Sequence, residues 1–220
     1  MAITLYNMPA SGHCHRVRLF LSILGLDYEK KPMSTRAGKT MPADYVALNP
    51  LGQVPTLIDG DVLITDSTAA LVYLAKRYGY TRWLPDDPAG AAAVQRWLST
   101  ASGELYRGPV SARAKLRFGR ELDLDAAHGW AKRLFDWMQQ HLEDREWLAA
   151  AHATIADLAM YSYIRVADEG GLDIEPYPAI TRWLSSVEAL DGFEPMPRQE
   201  KRVVVRRPSG TDVDPHVRSA

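Results

Sequence analysis

The order of secondary-structure signals in the first 79 residues limits the possible folds more than any other feature. A short alternating segment at residues 3–6 predicts a strand, and the apolar spacing over residues 13–24 predicts the helix that follows it. A weaker strand pattern at residues 28–33 and a short helix at residues 44–48 come next. Because strands and helices alternate, we expect a partly parallel sheet covered by helices.

A hairpin and a further helix complete this first part. Asp59-Gly60-Asp61 stands between apolar runs at residues 55–58 and 62–65, which is a strong hairpin signal. Residues 66–78 then show helical spacing and end at Gly79. The predicted order is therefore β-α-β-α-β-β-α, with the hairpin as an antiparallel edge.

The remainder of the chain has only helical patterns. We predict helices over residues 86–106, 125–142, 154–168 and 178–190. Thr154-x-x-Asp157 is a variant of the capping box, and its predicted role is structural.

These patterns divide the chain into three segments. We predict an α/β domain at residues 1–79, an all-α domain at residues 86–197 and a C-terminal tail at residues 198–220. The tail has no helical periodicity, so we expect a solvated terminus. Its basic cluster could instead contact an anion or the acidic helical part; the cluster is Lys201, Arg202, Arg206 and Arg207.

Composition excludes several classes of protein. The 26 basic and 27 acidic residues give a net charge of -1, which argues against a nucleic-acid binder with a basic surface. The single cysteine, Cys14, cannot form an intramolecular disulfide. No apolar run reaches the roughly 18–20 residues of a membrane span, and the first residues do not have the pattern of a signal peptide. We therefore expect a cytoplasmic enzyme or small-molecule binder with no membrane or nucleic-acid partner.

Three clusters near the start of the chain could carry chemistry, and the first is Ser11-Gly12-His13-Cys14. A helix N-terminus offers free N–H groups and about half a positive charge, so it stabilises a thiolate, an alkoxide or a phosphate. Ser11 is placed to donate a hydrogen bond to such an anion, or to act only as the helix N-cap.

The second cluster is Gln53-Val54-Pro55-Thr56. A cis Val54–Pro55 bond would turn the Val54 backbone outward, where it could pair with an extended peptide. An ordinary trans proline at the start of a strand is the alternative, and it is the commoner isomer.

The third cluster, Thr65-Asp66-Ser67-Thr68, opens a predicted helix. Ser67 could hold a carboxylate with its N–H and hydroxyl groups, and Asp66 could accept a hydrogen bond from an ammonium group. Together they would recognise an α-amino acid, although simple N-capping explains the same residues.

The run His13-Cys14-His15 resembles a metal cluster only in composition. Successive helix positions point to different faces, so we expect no metal site. Cys14 near a helix N-terminus could have a lowered pKa, but it has no Cys-x-x-Cys partner.

Taken together, these clusters resemble the cytosolic glutathione transferase superfamily over about residues 1–195, and its serine-type classes such as phi and theta. Three motifs in the same order and spacing carry the resemblance, and the Thr154–Asp157 box is similar to that family's helix cap. The motifs are Ser11-Gly12-x-Cys14-x-Arg16-Val17-Arg18, Asn49-Pro50-Leu51-Gly52-Gln53-Val54-Pro55-Thr56-Leu57, and Thr65-Asp66-Ser67.

The resemblance implies a thioredoxin-like α/β domain followed by an all-α domain, in a cytoplasmic homodimer. It also implies an enzyme that uses glutathione as co-substrate and directs the glutathione thiolate at a small electrophilic second substrate. The alternatives within this fold are a glutathione-dependent disulfide reductase or peroxidase, and a non-catalytic binding or scaffold protein.

The resemblance also implies roles for particular residues. Ser11 would stabilise the thiolate, and a cis bond would let Val54 pair with the cysteinyl backbone. Asp66 and Ser67 would hold the γ-glutamyl end, while Gln53 would approach the glycyl end.

Two further assignments depend on the same resemblance. Lys39 would help Gln53 at the glycyl end of the tripeptide. Tyr6 lies near the place of the catalytic tyrosine of other classes; we prefer Ser11 because it directly precedes the helix, whereas Tyr6 falls inside the strand. A second-substrate pocket is expected near Tyr106, Arg107 and Arg113.

Overall fold

The computed structural model describes residues 3–34 and 41–198. Lys39 lies outside the described residues, and so does the predicted tail from residue 199 onward. The one tail residue within the described range, Arg198, forms an ion pair with Asp168 at 2.8 Å.

A four-stranded sheet forms the centre of the first part. Its strands are β1 (Ile3–Asn7), β2 (Tyr28–Pro32), β3 (Thr56–Asp59) and β4 (Val62–Ile64), in the spatial order β2-β1-β3-β4. β1 pairs with β2 in parallel, and both β1–β3 and β3–β4 are antiparallel. The predicted mixed sheet with a hairpin at its edge is confirmed.

Three helices connect and cover these strands: α1 (Gly12–Ile23), α2 (Ala43–Leu48) and α3 (Ser67–Leu74). The prediction of a single regular helix over residues 66–78 was too long, because a π-helical turn at Ala75–Gly79 follows Leu74. Leu5 of β1 and Phe20 of α1 are fully buried, as the alternating and helical patterns predict.

The second part of the described chain is helical. Its helices are α4 (Tyr80–Trp83), α5 (Pro88–Ser102), α6 (Ser111–Phe118), α7 (Leu124–Leu142), α8 (Ile155–Arg165) and α9 (Pro178–Glu188). The sequence patterns did not predict α4 or α6. They also extended α5 to residue 106 and α8 to residue 168, where the structure has a π-helical turn at Tyr106–Val110 and a 3₁₀ turn at Ala167–Gly170.

The capping box at the start of α8 is present as predicted. The Asp157 carboxylate is fully buried and accepts hydrogen bonds from the Thr154 N–H at 2.8 Å, the Leu148 N–H at 3.0 Å and the Trp183 indole N–H at 2.9 Å. It therefore ties α8 to α9 and to the segment before α8, which is a structural role.

Helix α8 also packs directly on the N-terminus of α1. A Cβ atom added to Gly12 would lie 2.6 Å from the ring of Tyr163, so no larger residue fits there without movement. The two parts of the chain therefore meet at the residue that follows Ser11.

The segment after α9 returns to α1. His15 Nε2 lies 2.8 Å from the carbonyl oxygen of Glu194, and the Arg18 guanidinium pairs with the Glu194 carboxylate at 2.8 Å. Arg18 also donates to the Asn7 side chain at 2.6 Å. No helix within residues 3–34 or 41–198 combines the length and apolar character needed to cross a bilayer.

Candidate functional site

Ser11 is the N-cap of α1. Its backbone is extended, and its hydroxyl oxygen accepts a hydrogen bond from the Cys14 N–H at 3.3 Å. The residue is only 6% exposed. The hydroxyl oxygen accepts in this contact, so the hydroxyl hydrogen is still available to donate. Capping and anion stabilisation are therefore compatible in the same side chain.

Cys14 lies three residues after Ser11 in α1 and is fully buried. Its sulfur accepts a hydrogen bond from the Met8 N–H at 3.4 Å. Burial raises the pKa of the thiol, and the hydrogen bonds from Met8 and Ser11 lower it by less. The expectation of a lowered pKa was wrong, because the sequence shows the helix N-terminus but not the degree of burial. Cys14 is a packing residue at neutral pH.

The side chains of His13, Cys14 and His15 point to different neighbours. His13 Nδ1 lies 3.4 Å from the Ser67 hydroxyl, and His15 Nδ1 lies 2.9 Å from the Ser162 hydroxyl. Within the part of the chain that the structure describes, no group of three His, Cys, Asp or Glu side chains is arranged to hold a metal ion.

Tyr6 lies within β1, and its ring packs against that of Tyr45 at 5.1 Å between centroids. The preference for Ser11 over Tyr6 rests on this difference in position: Ser11 begins a helix, whereas Tyr6 is inside a strand.

The loop before β3 contains a cis peptide bond at Val54–Pro55. The Gln53 carbonyl oxygen accepts hydrogen bonds from the Tyr45 hydroxyl at 2.5 Å and from the Asn49 amide at 2.7 Å. The Gln53 side chain is exposed. Two residues of the α2 region thus hold the backbone of this loop, and nothing in the local sequence pattern predicted that contact.

Asp66 is the N-cap of α3. Its carboxylate accepts hydrogen bonds at 2.8 Å from both the Thr68 and the Ala69 N–H groups. Partial burial raises the pKa of Asp66, but the hydrogen bonds from Thr68 and Ala69 and the charge of Arg16 lower it by more. The group is therefore an anion at neutral pH, as a partner for an ammonium group must be.

Ser67 is buried at the first position of α3, where two side chains of α1 reach its hydroxyl. Arg16 Nη1 donates to the Ser67 oxygen at 3.4 Å, and His13 Nδ1 lies at the same distance. Burial and the positive charge of Arg16 lower the pKa of His13 to about 3, so this imidazole is neutral at neutral pH. The N-termini of α1 and α3 are therefore joined through these polar contacts.

Arg113 from α6 supports the loop before Ser11. It is buried, pairs with Glu169 at 2.8 Å and donates from Nη1 to the Ala10 carbonyl oxygen at 2.8 Å. The expectation that Arg113 lines a second-substrate pocket was wrong, because these two contacts occupy it inside the protein. Tyr106 is half exposed, and its ring lies 6.3 Å from that of His13. Arg107 instead packs over the Trp130 ring, at 5.1 Å.

The arrangement brings together two helix N-termini and the cis-proline loop that precedes β3. Each N-terminus offers N–H donors and a positive end to an anionic group, and each carries a serine at its start. The structure is a thioredoxin-like α/β domain followed by a helical domain, and the first domain carries the two helix N-termini and the cis-proline loop.

Comparison with known proteins agrees with this class. The family profile described as "Glutathione S-transferase, N-terminal domain" matches residues 1–76, and the profile described as "Glutathione S-transferase, C-terminal domain" matches residues 108–191. Glutathione S-transferase D7 of Anopheles gambiae is 32% identical over 186 residues, which is 84% of this chain and 85% of that protein.

Solved structures show the same similarity. A possible glutathione S-transferase from Rhodopseudomonas palustris superposes with a TM-score of 0.81 at 32% identity, covering 91% of this chain and 100% of that one. A glutathione transferase homologue from Drosophila mojavensis, with bound glutathione, gives a TM-score of 0.77 at 27% identity, covering 86% and 88%. The chain belongs to the glutathione S-transferase family. It is a transferase that uses glutathione as its co-substrate.

Proposed function

We propose that Ser11 holds the sulfur of bound glutathione as a thiolate, which then attacks a small electrophilic second substrate. The observation that carries this proposal is the position of Ser11: a buried hydroxyl at the N-terminus of α1 that accepts from Cys14 and still has its own hydrogen to donate. The thiolate is the reactive form, because a thiol is a much weaker nucleophile.

The remaining contacts of glutathione follow from the same geometry. Asp66 and Ser67 bind the γ-glutamyl end, with Asp66 accepting from the ammonium group and Ser67 donating to the carboxylate. The Val54 backbone pairs with the cysteinyl residue beside the cis bond, and the exposed Gln53 side chain reaches the glycyl end. Lys39 belongs to this proposal from the sequence alone, since it lies outside the described residues.

These groups can supply the free energy needed to lower the pKa of the glutathione thiol. A thiol with a pKa near 8.5 needs about 2.7 kcal/mol of differential stabilisation to lower that pKa by about two units. A hydrogen bond to a charged group contributes about 1.5–3 kcal/mol, and a helix N-terminus adds about 0.3–1 kcal/mol. Ser11 together with the first turn of α1 therefore accounts for the shift.

We also propose that the protein is a cytoplasmic homodimer and that its domains are residues 1–79 and 86–197. A groove of about 660 Å³ between α3 and α5, lined by Val72, Tyr73 and Leu98 among others, supports an interface on that side. The apolar side chain of Leu51 is 78% exposed in the single chain, which also favours burial of this part of the surface in a dimer. Sedimentation velocity would test the dimer, and a monomer at micromolar concentration would contradict it.

One experiment separates this function from its alternatives. The purified protein is assayed with glutathione and a chlorinated nitroarene, and in parallel with a mixed glutathione disulfide and with a hydroperoxide. We expect conjugation of the nitroarene to be the fastest reaction. A faster reaction with the disulfide or the hydroperoxide would favour a reductase or peroxidase, and no glutathione binding by calorimetry would leave only a scaffold role.

A further inference from the structure

Tyr163 of α8 places its phenol ring directly over the N-terminus of α1. A Cβ atom added to Gly12 would lie 2.6 Å from both Cε2 and Cζ of this ring, so the ring occupies the space that a side chain at Gly12 would need. Cζ is the atom that carries the hydroxyl group. The hydroxyl therefore lies beside the residue that follows Ser11, although it comes from the helical part of the chain.

The Tyr163 hydroxyl differs in its hydrogen bonding from those of the other buried tyrosines. In the part of the chain that the structure describes, the buried tyrosines are Tyr45, Tyr161 and Tyr163. Tyr45 donates to the Gln53 carbonyl oxygen, and Tyr161 donates to the Glu188 carboxylate at 2.9 Å. No acceptor within the described residues receives a hydrogen bond from Tyr163. Buried polar groups are normally hydrogen-bonded, so we expect the acceptor for this hydroxyl to come from outside the chain.

The phenol of Tyr163 keeps its proton at neutral pH and can therefore act as a donor. Burial raises the pKa of Tyr163, and the nearby Cys14 also raises it. The charges of Arg16 and Arg113 and the backbone N–H of His13 lower this pKa by less than burial raises it.

The Tyr163 oxygen is also linked to the first turn of α1. The first four N–H groups of a helix have no partner within the helix. In α1 the Ser11 oxygen accepts from the Cys14 N–H, and the Tyr163 oxygen accepts from the His13 N–H. A hydroxyl that accepts a hydrogen bond becomes a stronger donor, since hydrogen bonds in a chain polarise one another. Tyr163 thus extends the donor end of α1 toward the group that its own hydrogen faces.

We propose that the Tyr163 hydroxyl is a second hydrogen-bond donor to the sulfur of bound glutathione, alongside Ser11. The sulfur is the acceptor that the proposed function brings to the N-terminus of α1. The two donors come from different parts of the chain, so the thiolate is fully stabilised only when α8 is packed on α1. The inference rests on the proposed function, since it assumes that the sulfur lies in front of this helix end.

The test measures the pKa of bound glutathione, by ultraviolet absorbance of the thiolate, in two variants of α8. In Tyr163→Phe only the hydroxyl is lost, and the ring still fills the space over Gly12. We expect the pKa of the bound thiol to rise by about one unit or more, because one hydrogen bond to a charged group is removed. Conjugation below both pKa values should become about tenfold slower. Tyr161→Phe is the matched control, because it removes a buried hydroxyl whose partner is Glu188, and it should keep the wild-type pKa.

Two further measurements separate this role from packing. Glutathione affinity at a pH well below the pKa of the bound thiol should be the same in Tyr163→Phe and in the wild type, because the sulfur is uncharged in both. The double variant Ser11→Ala with Tyr163→Phe should have a higher thiol pKa than either single variant. If Tyr163→Phe does not fold, Tyr163→Met decides the question by the same pKa.

The inference is overturned by a bound thiol whose pKa does not change in Tyr163→Phe, or whose pKa rises equally in Tyr161→Phe. Slower conjugation at every pH with an unchanged thiol pKa also overturns it, because the hydroxyl would then act on the second substrate. If the thiol pKa of bound glutathione responds to Ser11→Ala alone, the proposed function stands and only this inference fails. If glutathione bound to the wild-type protein titrates like free glutathione, the proposed function itself fails, and this inference fails with it.

Discussion

Removal of the Ser11 hydroxyl should raise the pKa of bound glutathione without displacing the tripeptide. In Ser11→Ala the thiolate loses one hydrogen bond but keeps the N–H groups at the start of α1, because these belong to the backbone. The contacts proposed for the two ends of glutathione lie on α3 and on the loop before β3 and are not altered. We therefore expect a large loss in kcat at low pH with little change in KM for glutathione.

The size of the effect follows from the hydrogen bond that is lost. A charge-assisted hydrogen bond of about 1.5–3 kcal/mol corresponds to about 1.1–2.2 pKa units. Below both pKa values the variant should therefore react about 10- to 150-fold more slowly. Above both values the two proteins should converge. The variant also loses a cap, because the Ser11 oxygen accepts from the Cys14 N–H, and this should cost about 0.5–2 kcal/mol of stability.

The assay is the pH dependence of nitroarene conjugation, combined with direct titration of the bound thiolate by its ultraviolet absorbance. Asp123→Ala is the matched control, because Asp123 caps α7 through the Ala126 N–H at 3.0 Å on an exposed surface. This control should lose a similar amount of stability and keep the wild-type pH profile.

Two results would refute this reasoning. One is a bound thiolate whose pKa is the same in Ser11→Ala and in the wild type. The other is an equal loss of activity in Ser11→Ala and Asp123→Ala, because the effect would then come from the lost cap rather than from the thiolate.

Three other substitutions and one change of pH test separate parts of the structure. Ser67→Ala should weaken glutathione binding by about tenfold in calorimetry with a nearly unchanged kcat, since it removes one donor to the carboxylate; unchanged affinity would contradict the assignment. Arg113→Met should cost about 3 kcal/mol in urea unfolding, because the buried Glu169 carboxylate loses its partner at 2.8 Å and keeps the more distant Arg117 at 3.8 Å; a loss below about 1 kcal/mol would show that the ion pair contributes little. Asp157→Ala should cost about 3 kcal/mol or more in the same assay, since it leaves buried donors unsatisfied, and the kcat of the folded fraction should stay at the wild-type value. Burial lowers the pKa of His15 to about 4, so below about pH 6.5 this histidine takes up a proton in the unfolded chain but not in the folded protein. The free energy of unfolding should therefore fall as the pH drops from about 6.5 to about 4. The dependence of this free energy on pH should be weaker in His15→Gln.

The sequence alone predicted the elements whose pattern is strong and local. β1, α1 and the hairpin of β3 and β4 follow from alternation, from apolar spacing and from Asp59-Gly60-Asp61. Helix α6 was missed because it is only eight residues long and three of its residues, Arg113, Lys115 and Arg117, are basic. The cis bond at Val54–Pro55 came from the family resemblance, since the residues themselves favour the commoner trans isomer.

Local sequence rules identified candidate site residues best where single residues mark helix starts. Ser11 and Ser67 stand at such starts, and local rules are enough to single them out. The contacts of Arg16 and Arg113 were not predicted, because their partners Ser67 and Ala10 are 51 and 103 residues away in the chain. Contacts at that separation depend on how the helices pack, which no short sequence pattern reports.

The contacts that Glu194 makes with α1 have a practical consequence for protein engineering. The end of α9 is an obvious place to truncate the chain. A truncation there would remove the Glu194 carbonyl oxygen that contacts His15 and the Glu194 carboxylate that pairs with Arg18. Those two side chains lie on α1, which Ser11 caps, so a deletion after α9 would remove contacts from the helix that carries the proposed thiolate-binding residue. Fusions and truncations are therefore safe only when the chain is retained through Glu194.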